Sequence, residues 1–174
     1  NVVNMEGMFS GAKSFNQPLN SWVVTNATDM SGMFDGYYWD QVYNYPLDNW
    51  NVSNVSDMSY MFRDNSGFNQ DINGWDVSNV TNMQGMFSQT DVFNQDLSGW
   101  NVSNVTNMST MFQQAQLFNQ PLNNWNISNV DNISSITFSS KRSFEDNFIA
   151  FAASKVLLGS LHKIVAQPSG DITE

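Results

Sequence analysis

Phe93-Asn94-Gln95-Asp96-Leu97-Ser98-Gly99-Trp100-Asn101-Val102-Ser103-Asn104-Val105-Thr106-Asn107-Met108-Ser109-Thr110-Met111-Phe112 is spelled again, almost unchanged, before and after itself. The tryptophans keep the count: Trp22, Trp50, Trp75, Trp100 and Trp125 lie 28, 25, 25 and 25 residues apart by subtraction of their numbers. A fixed period in this range belongs to stacked supersecondary units, each of which buries its apolar residues against its neighbours.

Working outward from that stretch, Val2, Met5, Met8 and Phe9 repeat the phase of Val105, Met108, Met111 and Phe112, so the chain opens inside a repeat and reads as a fragment or processed product. A full unit follows from Phe15. In the next, Phe34 to Leu47 takes 13 steps where Phe9 to Leu19 takes 10, so three extra residues enter a segment over 35–46 that holds Tyr37, Tyr38, Trp39, Tyr43 and Tyr45. Regular units start at Phe68, Phe93 and Phe118, and the period decays at Ile133, Ile136 and Phe138. These limits define a repeat domain over 1–138, of about five to six coils, and a tail over 139–174.

Two spacings alternate inside a unit. Leu97-x-x-Trp100-x-Val102 places Trp and Val two apart, which predicts a short strand with one buried face. Ser103 is a favoured N-cap residue, and Val105, Met108, Met111, Phe112 and Ala115 then fall at i, i+3, i+6, i+7 and i+10, which predicts a short helix. The fold class expected is an α/β repeat solenoid, a leucine-rich-repeat-like right-handed coil with short parallel strands and short helices. In the tail, Phe144, Phe148, Phe151, Val156, Leu157 and Leu161 predict an amphipathic helix or two, a helical C-terminal cap over the last coil or, with its apolar stripe left uncovered, a partner-binding or oligomerising helix.

The phrase Trp-Asn-Val-Ser-Asn-Val-Thr-Asn-Met-Ser-x-Met-Phe followed by Phe-Asn-Gln-Pro-Leu resembles the repeat of BspA-like surface proteins, and Leu97-x-x-Trp100-x-Val102 fits the strand core of leucine-rich repeats. The likeness spans roughly residues 1–138. It implies a cell-surface or secreted protein with a role in adhesion, and it implies that the strand face carries the partner contacts. The aromatic segment and the tail depart from the family pattern.

Composition narrows the partners. A net charge of -10 repels phosphate-bearing polymers, which sets aside nucleic acid. No apolar run is long enough to insert in a membrane. Cysteine is absent, so disulfides and thiolate chemistry are excluded. His162 is the only histidine, no second group suggests a triad or a phosphate loop, and no Asp-x-Asp-x-Asp-Gly loop is present. The expectation is a non-enzymatic protein without metal or cofactor.

Two candidate binding elements remain. Side chains flanking the strand's Trp and Val point away from the core, which selects Asn49, Asn51, Asp76, Asn101 and Asn126 as a polar face for a protein partner; a solvated face without a partner reads equally well. Tyr37, Tyr38, Trp39, Tyr43 and Tyr45 offer rings with polar tips, suited to stacking on a glycan or anchoring an interface, although Tyr43 also fits the core phase of Phe68 and Phe93. A third class is a structural spacer that associates end to end. The repeated Asn16, Asn44, Asn69, Asn94 and Asn119, and Asn26, Asn54, Asn79, Asn104 and Asn129, are best explained as amides bonding turn backbone along the stack.

Overall fold

A computed structural model describes residues 2–36 and 41–134. Their apolar residues do recur at the positions the period selects, and nearly all are interior: Trp75, Val77, Val80, Met83, Met86, Phe87, Phe93 and Leu97 of one unit are buried together with their counterparts in the next. Each fully enclosed Phe, Leu or Met contributes about 1.5–3 kcal/mol relative to an exposed one. The rings align in columns. Phe34, Phe62, Phe87 and Phe112 stack with centroids 5.6, 5.9 and 5.6 Å apart, and within single coils Phe62 lies on Phe68 at 3.8 Å and Phe112 on Phe118 at 4.1 Å.

The backbone that carries these columns is not the one expected. Among the described residues there is no helix, and strand character is limited to isolated parallel bridges, so the α/β solenoid with a strand and a helix per repeat is corrected to a stack of turn-built coils. The Leu-x-x-Trp segment is a turn rather than a strand: the Trp100 N–H returns to the Leu97 carbonyl at 3.1 Å, and the Val105 N–H to that of Val102 at 3.0 Å. The segment expected as a helix is a chain of further turns. Met111 bonds back to Met108, Gln113 to Thr110, Ala115 to Phe112 and Phe118 to Ala115, each three residues apart rather than four.

The alternate N–H groups explain why a helix cannot form there. Those of Met83, Gly85, Phe87 and Gln89 leave their own coil and donate to the carbonyls of Asn107, Ser109, Met111 and Gln113 at 2.9, 2.9, 2.9 and 2.7 Å. A helix would claim all of these donors for itself; the stack divides them between local turns and the neighbouring coil. The division requires left-handed backbone in the middle of the run, at Gly7, Gly32, Tyr60, Gly85 and Thr110, with φ between 58° and 60°. One such residue ends any α-helix. Ser103 therefore caps nothing; its own N–H donates to Asn101 Oδ1 at 3.2 Å in a side-chain turn.

Parallel bridges join Asn4 to Asp29, Asp29 to Asp57, Asp57 to Asn82, Asn82 to Asn107 and Asn107 to Asn132, a single ladder up the stack. The ladder thus runs through the stretch assigned to helix, and the stretch assigned to strand has none. Side chains reinforce it between coils. Asn44, Asn69, Asn94 and Asn119 each donate a backbone N–H to the Asn Oδ1 one coil earlier, at 3.1, 2.9, 3.0 and 2.8 Å, and Asn54, Asn79, Asn104 and Asn129 each place Nδ2 on an earlier carbonyl at 2.7 Å. The amide columns are structural, as the sequence suggested.

The first coil differs from the rest. Trp22 is 40% exposed and Met8 41%, whereas Trp50 and Met33 are closed over, because no described coil packs in front of the first. The helical cap expected over 139–174 lies outside the described residues.

Candidate functional site

The residues selected from the sequence fall into two regions. Asn49, Asn51, Asp76, Asn101 and Asn126 all lie exposed on the outside of the stack, on turns rather than on a sheet. Four of them share one conformation. Oδ1 of Asn51, Asp76, Asn101 and Asn126 accepts the backbone N–H two residues on, from Ser53, Ser78, Ser103 and Ser128, at 3.1, 3.1, 3.2 and 3.2 Å. Such turns fix the side chain on its own backbone and leave its second polar atom directed elsewhere. The result is a row at one-coil intervals with three carboxamide N–H2 groups and the outer oxygen of Asp76. Hydrogen bonds from the Ser78 side chain and backbone hold the Asp76 carboxyl below the usual carboxylate range.

Beside this row the surface is small and open. A side chain added at Gly74 would meet nothing within 4 Å. Gly99 is closer to its neighbours: its N–H donates to Asn73 Oδ1 at 2.9 Å, and an added Cβ would lie 2.8 Å from that oxygen. Asn49 sits in the equivalent bond, its N–H on Asn20 Oδ1 at 3.0 Å. At Asn49 and Gly99 it is the backbone N–H that is engaged by an earlier asparagine, whereas in the row itself each side chain is fixed on its own turn.

The aromatic segment divides. Tyr43 is fully buried and lies on Phe34 with centroids 4.3 Å apart, taking the place of Phe68 and Phe93 in the core, so it offers no ring to a ligand. Tyr45 is exposed and tilted against Tyr43 at 6.4 Å. Tyr37, Tyr38 and Trp39 lie outside the described residues.

One arrangement near the segment was missed by sequence reasoning. Arg63 clasps Asp35 through Nε to Oδ1 at 3.0 Å and Nη2 to Oδ2 at 2.6 Å, and its guanidinium lies 4.4 Å from the centre of the Tyr60 ring. Burial opposes the guanidinium charge, but the hydrogen bond and charge of Asp35 outweigh it and hold the pKa above its ordinary value. The signal was available: Lys13 and Arg63 are the only cationic side chains before Lys141. The pair bridges the coil that leads into the segment and the coil that follows it. Among the described residues no cluster of His, Asp or Glu has the arrangement to hold a metal ion, and no helix is long and apolar enough to cross a membrane.

A family model described as a Mycoplasma protein of unknown function, DUF285, matches residues 1–38 and 37–151. The chain belongs to that family. Two successive matches agree with its repeated construction, and they cover the coils and the aromatic segment alike. No curated protein and no solved structure matches the chain.

Proposed function

We propose that this member of the family is a non-enzymatic recognition module, displayed at a cell surface or secreted, that binds a protein partner along the exposed row Asn51, Asp76, Asn101 and Asn126. The supporting observation is that each side chain is exposed yet fixed: its Oδ1 is spent on a turn that holds the group in place at the surface. Groups held in place before binding lose little freedom when a partner docks, which favours recognition over simple solvation. Interior apolar columns and cross-coil amides supply the rigid support such a row needs. The likeness of the repeat phrase to BspA-like surface proteins accords with adhesion, and the acidic charge accords with a basic or neutral partner.

The test is binding of the chain to arrays of extracellular proteins and of glycans, with Asn101→Arg and Trp39→Ala beside it. Asn101 is exposed, so the arginine is tolerated by the fold, checked by an unchanged circular dichroism spectrum. A protein hit lost on Asn101→Arg supports the reading. A glycan hit abolished by Trp39→Ala replaces it with recognition of sugar by the aromatic segment, and silence on both arrays leaves a structural spacer.

A further inference from the structure

At one phase of the repeat the interior changes character for two coils. The column runs Asn65, Thr90 and Ala115 at intervals of 25 residues, and the residue bridged to Asn65 in the preceding coil is Gln41. All four are buried. Thr90 solves its own burial, since its hydroxyl donates to the Phe62 carbonyl at 2.8 Å. Ala115 has nothing to satisfy. Gln41 and Asn65 have large amides with no exposed surface, yet neither the nitrogen nor the oxygen of either amide meets a hydrogen-bond partner in the protein.

The insertion explains why the polar pair occurs here. In regular coils the backbone N–H at this phase closes a turn three residues back, from Asn65 to Phe62, Thr90 to Phe87 and Ala115 to Phe112. After the lengthened segment the N–H of Gln41 instead crosses to the Asp64 carbonyl of the next coil at 3.3 Å. A neighbouring contact is tight: a Cβ at Gly67 would lie 3.3 Å from the Val42 backbone. The returning chain therefore runs close to its neighbour at 42 and 67, while the side-chain amide at 41 lacks a protein partner.

Buried amides are almost always bonded, to protein or to water. We propose that Gln41 and Asn65 form an internal water site, in which buried water bridges the two amides and ties the returning end of the aromatic segment to the next coil. Water fits the chemistry on show. Each amide offers N–H donors and a carbonyl acceptor, so the pair is neutral and balanced, and buried water typically takes about three hydrogen bonds from such groups. An anion would find no positive charge there, and a cation would face the amide N–H groups as well as the oxygens. The site is independent of any binding partner, and it assigns Gln41 and Asn65 the role of positioning residues for the segment that carries Trp39.

The test uses the whole chain. Solution NMR with water-selective transfer to side-chain amides is expected to show transfer from long-lived bound water to Gln41 Nε2–H and Asn65 Nδ2–H, and a crystal structure at near-atomic resolution is expected to show ordered water within hydrogen-bond distance of both. A crystal structure in which the two amides bond each other directly, or bond nothing, overturns the proposal. The double variant Gln41→Ala with Asn65→Ala restores the small residue found at Ala115 and gives an independent reading. With water satisfying the amides, its Tm is equal to or below that of the parent; a Tm raised by several degrees shows that the variant removed unpaired groups, and the proposal fails.

Discussion

The indole N–H of Trp100 donates to the backbone carbonyl of Ile72 at 3.0 Å, across 28 residues and one coil boundary. Trp50 makes the same bond to Leu19, Trp75 to Leu47 and Trp125 to Leu97, at 2.9, 3.0 and 3.0 Å. The carbonyl so reached already closes a turn, Ile72 accepting the Trp75 N–H at 3.1 Å, and the indole supplies its second hydrogen bond. This explains why tryptophan and not phenylalanine holds the phase: the ring must fill the column and also satisfy an acceptor. Trp100→Phe keeps an aromatic ring but removes one of the two hydrogen bonds to the Ile72 carbonyl, the Trp75 N–H supplying the other, and leaves a gap, so a loss of about 1–2 kcal/mol is expected. Trp22→Phe removes no such bond from a ring that is 40% exposed and is expected to cost less than about 0.5 kcal/mol. Urea midpoints of the two variants decide the matter, and equal shifts would refute the assignment.

Gly85 carries a second dependence. Its φ of +60° is left-handed, and a Cβ there would lie 2.6 Å from the Tyr60 ring of the preceding coil. Gly32 has nearly the same φ, but its nearest neighbour would be Asp35 Cβ at 3.7 Å. Gly32→Ala is thus expected to cost only the backbone strain, about 1–2 kcal/mol, and Gly85→Ala that strain plus overpacking of about 1–3 kcal/mol. Adding Tyr60→Ala removes the second part alone. A thermal double-mutant cycle that finds no coupling between positions 60 and 85 would show that the ring moves aside without cost.

The same glycines mark what was legible in the sequence. Period, core columns, the insertion and the amide ladders all follow from residues that recur, because burial selects residue type at every coil. Local backbone does not follow, since Val105, Met108, Met111 and Phe112 have helical spacing while the chain between them turns left-handed at Thr110. Three residues apart is the period of a β-turn as well as nearly that of a helix, and side-chain periodicity alone does not separate them. Gly7, Gly32 and Gly85 did carry the distinction, each standing between two methionines at one phase where a helix gains from Ala and loses from Gly. Of the candidate site, exposure at Asn51, Asp76, Asn101 and Asn126 was readable from alternation with Trp and Val, although the reason offered, a strand, was wrong. Arg63 stood out by its rarity as a cation, but its pairing with Asp35 and that of Gln41 with Asn65 were not readable, because both depend on how the inserted residues shift the register between two coils.

Acid titration tests the turns. Backbone and side-chain hydrogen bonds from Ser98 hold the Asp96 carboxyl below its ordinary pKa of 3.8, as those from Ser78 do for Asp76. A depressed folded-state value means stability that is present above the unfolded carboxylate pKa and is lost as pH falls through the folded one. Both groups are solvent-exposed, so the effect on stability is small and the titration itself is the better readout. NMR chemical shifts are expected to place both midpoints below 3.8. Asp76→Asn, which installs the residue found at Asn51 and Asn101, keeps the Oδ1 acceptor and is expected to leave the Ser78 amide shift insensitive to acid. Midpoints at or above the ordinary value would mean that these turns do not persist in solution.

Tyr43 offers the reverse case at high pH. Its ring occupies the column that phenylalanine fills at Phe68, Phe93 and Phe118, but its hydroxyl is buried without a hydrogen bond of ordinary geometry. Burial pushes that hydroxyl's pKa well up, with the Leu19 backbone pulling the other way and Tyr45 adding slightly to the rise. Because the folded-state value exceeds the unfolded one, the neutral phenol's contribution is fully present below the unfolded pKa of about 10 and declines as pH rises above it. Tyr43→Phe removes both the unpaired group and the titration. The variant is expected to equal or exceed the parent in stability, by up to about 1 kcal/mol at neutral pH, and to lose less of it between neutral and strongly alkaline solution. The check is a pair of urea midpoints at each pH for the two proteins. A Tyr43→Phe variant clearly less stable at neutral pH would show that the hydroxyl has a partner in solution, and would place it among the groups that hold the returning segment against the stack.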